Sequence, residues 1–142
     1  MSFNNLTADI GPCDAGEAFG DTNTILSAPN NQGVVGRFVK MSNGKLVPIT
    51  SKDDAWAGVL LRSITDPVDG ALQEYPITDY LVEGNASVEA LPVTTLPAVG
   101  AKVFMTPDGR VAEAADTGEA NTEINATFIQ EIRTNVWFLQ VG

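Results

Sequence analysis

The stretch Tyr80-Leu81-Val82-Glu83-Gly84-Asn85-Ala86-Ser87-Val88-Glu89-Ala90 decides the fold class. Tyr80, Val82, Gly84, Ala86, Val88 and Ala90 fall on one side of an extended chain, with Glu83, Asn85, Ser87 and Glu89 on the other. Successive side chains of a strand point to opposite faces, so this period of two marks a strand with one dry and one wet face, as in antiparallel sheets. Residues 123–133 repeat the pattern: Ile124, Ala126, Phe128 and Ile132 oppose Asn125, Thr127, Glu131 and Arg133. Thr134-Asn135 then turns the chain into residues 136–141, with Trp137, Leu139 and Val141 on one side. These last two segments are expected to pair as a hairpin.

Upstream, residues 34–41 form a short apolar run, and Asn43-Gly44 is the favoured two-residue hairpin turn leading into residues 45–50. Residues 56–64 are a further apolar strand. Residues 112–120 contain good helix formers, but Gly118 interrupts them and no apolar stripe accompanies them, so the segment reads as a loop. Eight prolines and thirteen glycines set between short strands point to an all-β fold. The expectation is a small antiparallel β-barrel or sandwich built from hairpins over residues 34–142.

Residues 1–33 differ. They are rich in Gly, Asn, Asp and Pro, and Phe3, Leu6, Ile10, Phe19, Ile25 and Leu26 follow neither a period of two nor one of 3.6. The segment reads as an extended N-terminal arm, with Phe3, Leu6, Ile10 and Phe19 as its candidate partner-binding residues. In the domain, Trp137 has apolar neighbours, Val136 and Phe138, on both sides of its strand, which makes it the candidate for a subunit interface.

An internal repeat is also visible. Gly36-Arg-Phe-Val-Lys-Met-Ser-Asn-Gly44-Lys-Leu can be laid over Gly100-Ala-Lys-Val-Phe-Met-Thr-Pro-Asp-Gly109-Arg-Val with one inserted residue. Each copy runs glycine, apolar strand, tight Asn/Asp-Gly turn, basic residue, aliphatic residue. A second apolar strand follows each, and two such units would pack face to face around one core.

Composition removes most chemistry. The 142 residues contain no histidine and one cysteine, and the formal charge is 8 − 18 = −10. No histidine-based triad or His-ligated zinc can be built, and Cys13 alone makes neither an internal disulfide nor a thiolate cluster. Residues 1–36 and 63–101 carry no Lys or Arg, and the eight basic residues are scattered singly. Phosphate backbones and anionic membranes need clustered basic groups, so neither nucleic acid nor a membrane is an expected partner. The N-terminus lacks the basic and apolar regions of a secretory signal.

The remaining motifs are weak. Asp116-Thr117-Gly118 matches the aspartic-protease tripeptide, but polar residues flank it and nothing apolar would bury it, so it reads as a surface turn. Asp53-Asp54 lacks the alternating oxygens and closing Glu of a calcium loop and reads as a solvated hairpin tip. No catalytic residue, metal site or cofactor is expected.

The order of these features resembles the structural cement, or head decoration, proteins of tailed bacteriophages. The resemblance runs nearly end to end through Ala18-Phe19-Gly20-Asp21, Gly33-Val-Val-Gly36-Arg37-Phe38-Val39, Ala57-Gly58-Val59-Leu60, Leu81 to Val88, Val99 to Phe104 and Thr106-Pro107-Asp108-Gly109-Arg110-Val111. It implies a non-enzymatic β protein that binds the outer surface of an assembled phage head and stabilises contacts between capsomers. It further implies the major capsid protein as partner, a homotrimer, and synthesis in the bacterial host cytoplasm. The competing expectation is a carbohydrate- or host-surface-binding β module of a phage virion, which would need Trp56 and Trp137 exposed in a groove.

Overall fold

The computed structural model describes residues 18–26, 33–64, 77–115 and 121–142. The described residues form nine strands and no helix: β1 (Ala18–Leu26), β2 (Phe38–Ser42), β3 (Lys45–Pro48), β4 (Trp56–Ile64), β5 (Ile77–Glu89), β6 (Lys102–Met105), β7 (Val111–Ala112), β8 (Thr122–Arg133) and β9 (Val136–Val141). All belong to one antiparallel sheet that curls into a half-barrel. The hairpin turns fall where the sequence puts them, with Asn43, Gly44 and Asn135 at positive φ.

The deciding stretch is the spine of the sheet. Residues 77–81 of β5 pair with both β1 and β4, and residues 84–86 pair with both β1 and β9. A strand has two edges, so β1 runs along one edge of β5 while β4 and β9 share the other. Asp21 pairs with Glu83 and Thr22 with Leu81, leaving Val82 as an extra, bulged residue. The alternation therefore does not hold one face from end to end. A one-residue slip moves every following side chain to the opposite face. Tyr80 enters one core and Leu81, Ala86 and Val88 enter another, while Val82, expected inside, is 38% exposed.

The bulge divides the chain into two modules of identical strand order. The first runs β1, residues 77–81 of β5, β4, β2, β3; the second runs residues 84–89 of β5, β9, β8, β6, β7. Their hydrogen bonds match. Gly36 N–H donates to Leu60 O (2.8 Å) and Leu60 N–H to Arg37 O (2.9 Å); Gly100 N–H donates to Phe128 O (2.7 Å) and Phe128 N–H to Ala101 O (2.9 Å). Leu60 pairs with Tyr80 as Phe128 pairs with Leu139. The buried residues correspond too: Val39, Leu46, Leu60 and Tyr80 in the first module match Val103, Val111, Phe128 and Leu139 in the second.

The repeat expected from two hairpins is thus a repeat of five strands. The units are fused end to end through β5 and do not simply oppose each other face to face. Phe38, Ile49, Val59 and Leu81 turn away from the first module's interior and join the second module's core, making the larger of two hydrophobic clusters. Arg37 fastens the junction. Its guanidinium forms a two-pronged pair with Glu89 (Nε–Oε1 2.9 Å, Nη2–Oε2 3.1 Å) and reaches Asp108 at 3.5 Å. Backbone bonds add to it, from Phe38 N–H to Gly109 O (2.8 Å) and from Glu89 N–H to Gly36 O (2.9 Å).

Within the expected arm, residues 18–26 are β1, a regular strand paired along nine positions of β5. The sequence hid it because residues 19–24 are exposed on both faces, so no alternation was there to find. Gly20 lies against Gly84 so closely that a Cβ on either would collide with the other strand's backbone.

Candidate functional site

Phe3, Leu6 and Ile10 lie outside the described residues, as do Cys13 and Asp116-Thr117-Gly118. Phe19 is 58% exposed and rests edge-on against Phe138, with ring centroids 6.4 Å apart. Phe19 pairs with Asn85 and Phe138 with Ser87 on the neighbouring strand, so both rings stand on the sheet face opposite Trp137.

Trp137 is only 1% exposed. It packs at 90° to Phe128, centroids 5.2 Å apart, inside the second module's core. Its indole is enclosed by its own chain and offers no surface to a neighbouring subunit. The apolar pair that suggested an interface has an internal explanation, since Phe138 leans on Phe19. Trp56 is half-buried and packs edge-on against Phe38 at 5.0 Å. The two tryptophans form no exposed platform on which a sugar ring could stack.

A groove of about 450 Å3 lies where the modules meet, between the 52–56 loop and the start of β8, with Trp56, Met105 and Ile124 among its lining residues. Its carboxylates are engaged: Asp53 pairs with Lys52 at 2.9 Å and Glu123 with Lys102 at 3.0 Å. Asp54 organises the loop, and the expected hairpin tip at Asp53-Asp54 is instead a crossover, because β3 and β4 both pair with β2 and not with each other. Its Oδ2 accepts from Lys40 Nζ (2.9 Å), Thr50 N–H (2.9 Å) and Ser51 N–H (3.0 Å). The Lys40 ammonium, helped by those amides, draws the Asp54 pKa from 3.8 down to about 2.

Asp108 serves the second module in the same way. Burial alone would raise its pKa, but hydrogen bonds from Arg110 and Thr106 outweigh it and hold the group low. Both aspartates are structural anions with depressed pKa values, the reverse of what a general acid requires. Among the described residues no three His, Cys, Asp or Glu side chains gather closely enough to hold a metal ion.

What the described surface does present is apolar and exposed: Phe19 on β1, Val82 at the bulge, Met41 at a hairpin, and the turns around Val34-Val35 and Leu96 to Val99. Such a surface is suited to binding another protein. Residues 10–137 match the family model described as "Structural cement protein (E217 gp24/Pam3 gp6)".

The chain belongs to this phage structural cement family.

The cement fold also matches a chain from "The capsid of Myoviridae Phage XM1", at a TM-score of 0.68 and 19% sequence identity, covering 100% of this chain and 98% of that one. No curated protein sequence matches it. The cement chain's exposed apolar turns were missed as site residues because each is a short Val-Gly step with no periodicity. The only signal for them was the repeat, which places both steps at the same point of each unit.

Proposed function

We propose that this cement protein is a non-enzymatic decoration protein that binds the outer surface of an assembled phage head and stabilises the contacts between capsomers. The observation that carries the reading is the family match over residues 10–137. The major capsid protein is the partner, the working form is a homotrimer, and the chain is made in the bacterial host cytoplasm. Placement outside the shell agrees with a charge of −10, since packaged nucleic acid would repel such a surface. A protein that binds the assembled lattice better than its free subunits stabilises the shell by mass action alone. Several weak contacts on one oligomer raise the effective concentration for the rest.

Phe3, Leu6 and Ile10, together with Phe19 on β1, are the residues assigned to contact with the shell. The test is deletion of residues 1–17, which spares β1. The truncated chain should unfold at the same temperature as the full chain and lose binding to expanded heads. Full binding by the truncated chain would remove those residues from the interface. Failure of the full chain itself to bind heads would overturn the reading.

A further inference from the structure

Each module carries the same projecting turn just before its first hairpin. In Val34-Val35-Gly36-Arg37, Arg37 N–H donates to Val34 O at 3.1 Å; in Ala98-Val99-Gly100-Ala101, Ala101 N–H donates to Ala98 O at 2.9 Å. Gly36 and Gly100 have φ of 87° and 85°, and neither valine has positive φ. An i to i+3 bond with glycine at positive φ in the third position is a type II turn. The second position of such a turn favours proline; here it is valine both times. Val35 is 41% exposed and Val99 79%, with Val34 and Leu96 beside them at 50% and 52%.

A single exposed valine calls for no explanation. The same residue at the tip of the same turn in both modules is a different observation, because most other positions have diverged between the repeats. Both tips are held rigid. Each is tied by two backbone bonds to the central strand of its module, at Leu60 in the first and Phe128 in the second. A pre-ordered apolar projection loses little conformational freedom when it binds.

We propose that the two tips, Val34-Val35 and Leu96 with Val99, are paired docking points, each seating in an apolar recess on one copy of the shell protein. One chain thereby joins two copies. The inference rests on the cement reading above. A duplicated contact matches a shell made of many copies of one subunit. Two equivalent tips on one rigid chain fit two equivalent recesses on neighbouring subunits, and the second contact becomes intramolecular once the first is made.

The test is the full-length chain carrying Val35→Asp, Val99→Asp or both, mixed with assembled, expanded heads that lack it and sedimented across a range of concentrations. Each single variant should bind at least tenfold more weakly and lose most of its ability to raise the temperature at which heads disrupt. The double variant should not co-sediment. All three should match the parent in free-chain unfolding temperature and oligomeric state, since both tips are exposed. Parent-like binding by either single variant overturns the pairing. So does a change in the oligomeric state of the free chain, which would assign the tips to contacts between its own copies. Absence of binding by the parent chain would be the separate failure, that of the cement reading, and would take the proposal with it.

Discussion

The two modules share one strand order and close differently. The first is sealed by β1, whose Ile25 packs on a small cluster of Val39, Leu46, Leu60 and Tyr80; Thr78 Oγ donates to Ile25 O at 2.8 Å to hold the strand down. The second is sealed by the chain that continues from β5, where Ala90 bridges to Val111 and Leu91 N–H donates to Val111 O at 2.8 Å. At the position where the first module has Thr78, the second has Trp137. The difference extends to the hairpin methionines, since Met105 is fully buried at the module junction while its counterpart Met41 is 40% exposed. One topology thus yields a well-filled core that carries the fold and a thinner one that carries an edge strand.

Trp137→Ala should break this asymmetry most severely. Removing a fully buried indole beside Phe128 should cost about 3–5 kcal/mol, measured as a fall in the denaturant midpoint, a large fraction of the roughly 5–15 kcal/mol that holds an ordinary domain folded. The Gly36→Ala and Gly100→Ala pair tests the equivalence itself. Both force a Cβ into left-handed backbone, and each should cost about 1–3 kcal/mol. Costs that differ by more than this range would show that the two turns are not the same device. Thr78→Ala should be milder, about 1–2 kcal/mol. It should leave the Trp137 core intact, with the lost protection from hydrogen exchange confined to β1 and β5.

Much of this was legible in the chain. Period-two runs gave β5 and β8, the Asn-Gly step gave the β2–β3 turn, and the Gly36/Gly100 repeat gave the two units. Three things were hidden for physical reasons. Strand β1 has no alternation because residues 19–24 are exposed on both faces. The bulge at Val82 leaves residue parity unchanged in the sequence while exchanging the faces. Trp137 looked like an interface residue because a strand with apolar residues on both faces can be covered by a partner or by its own chain, here by Phe128 against Trp137 and by Phe19 beside Phe138. Of the candidate partner-binding residues, only Phe19 falls among the described residues, and it is exposed.

The smallest effect separates the modules by pH. Asp54 in the first and Asp108 in the second both have folded pKa values below 3.8. The stability they contribute is therefore complete above about pH 4 and is lost as the pH falls through the folded values, near 2 for Asp54. Asp54→Asn should flatten the stability curve between about pH 4 and 2, leaving the contribution of Asp108. A slope unchanged in that window would place the acid sensitivity elsewhere.

The most direct measurement of the central claim is the temperature at which assembled, expanded heads lacking this chain disrupt, with and without the purified full-length protein. The chain should co-sediment with the heads and raise that temperature in a saturable way, without changing the free coat subunit. A chain that stays in the supernatant, or that binds and leaves the disruption temperature where it was, would contradict it.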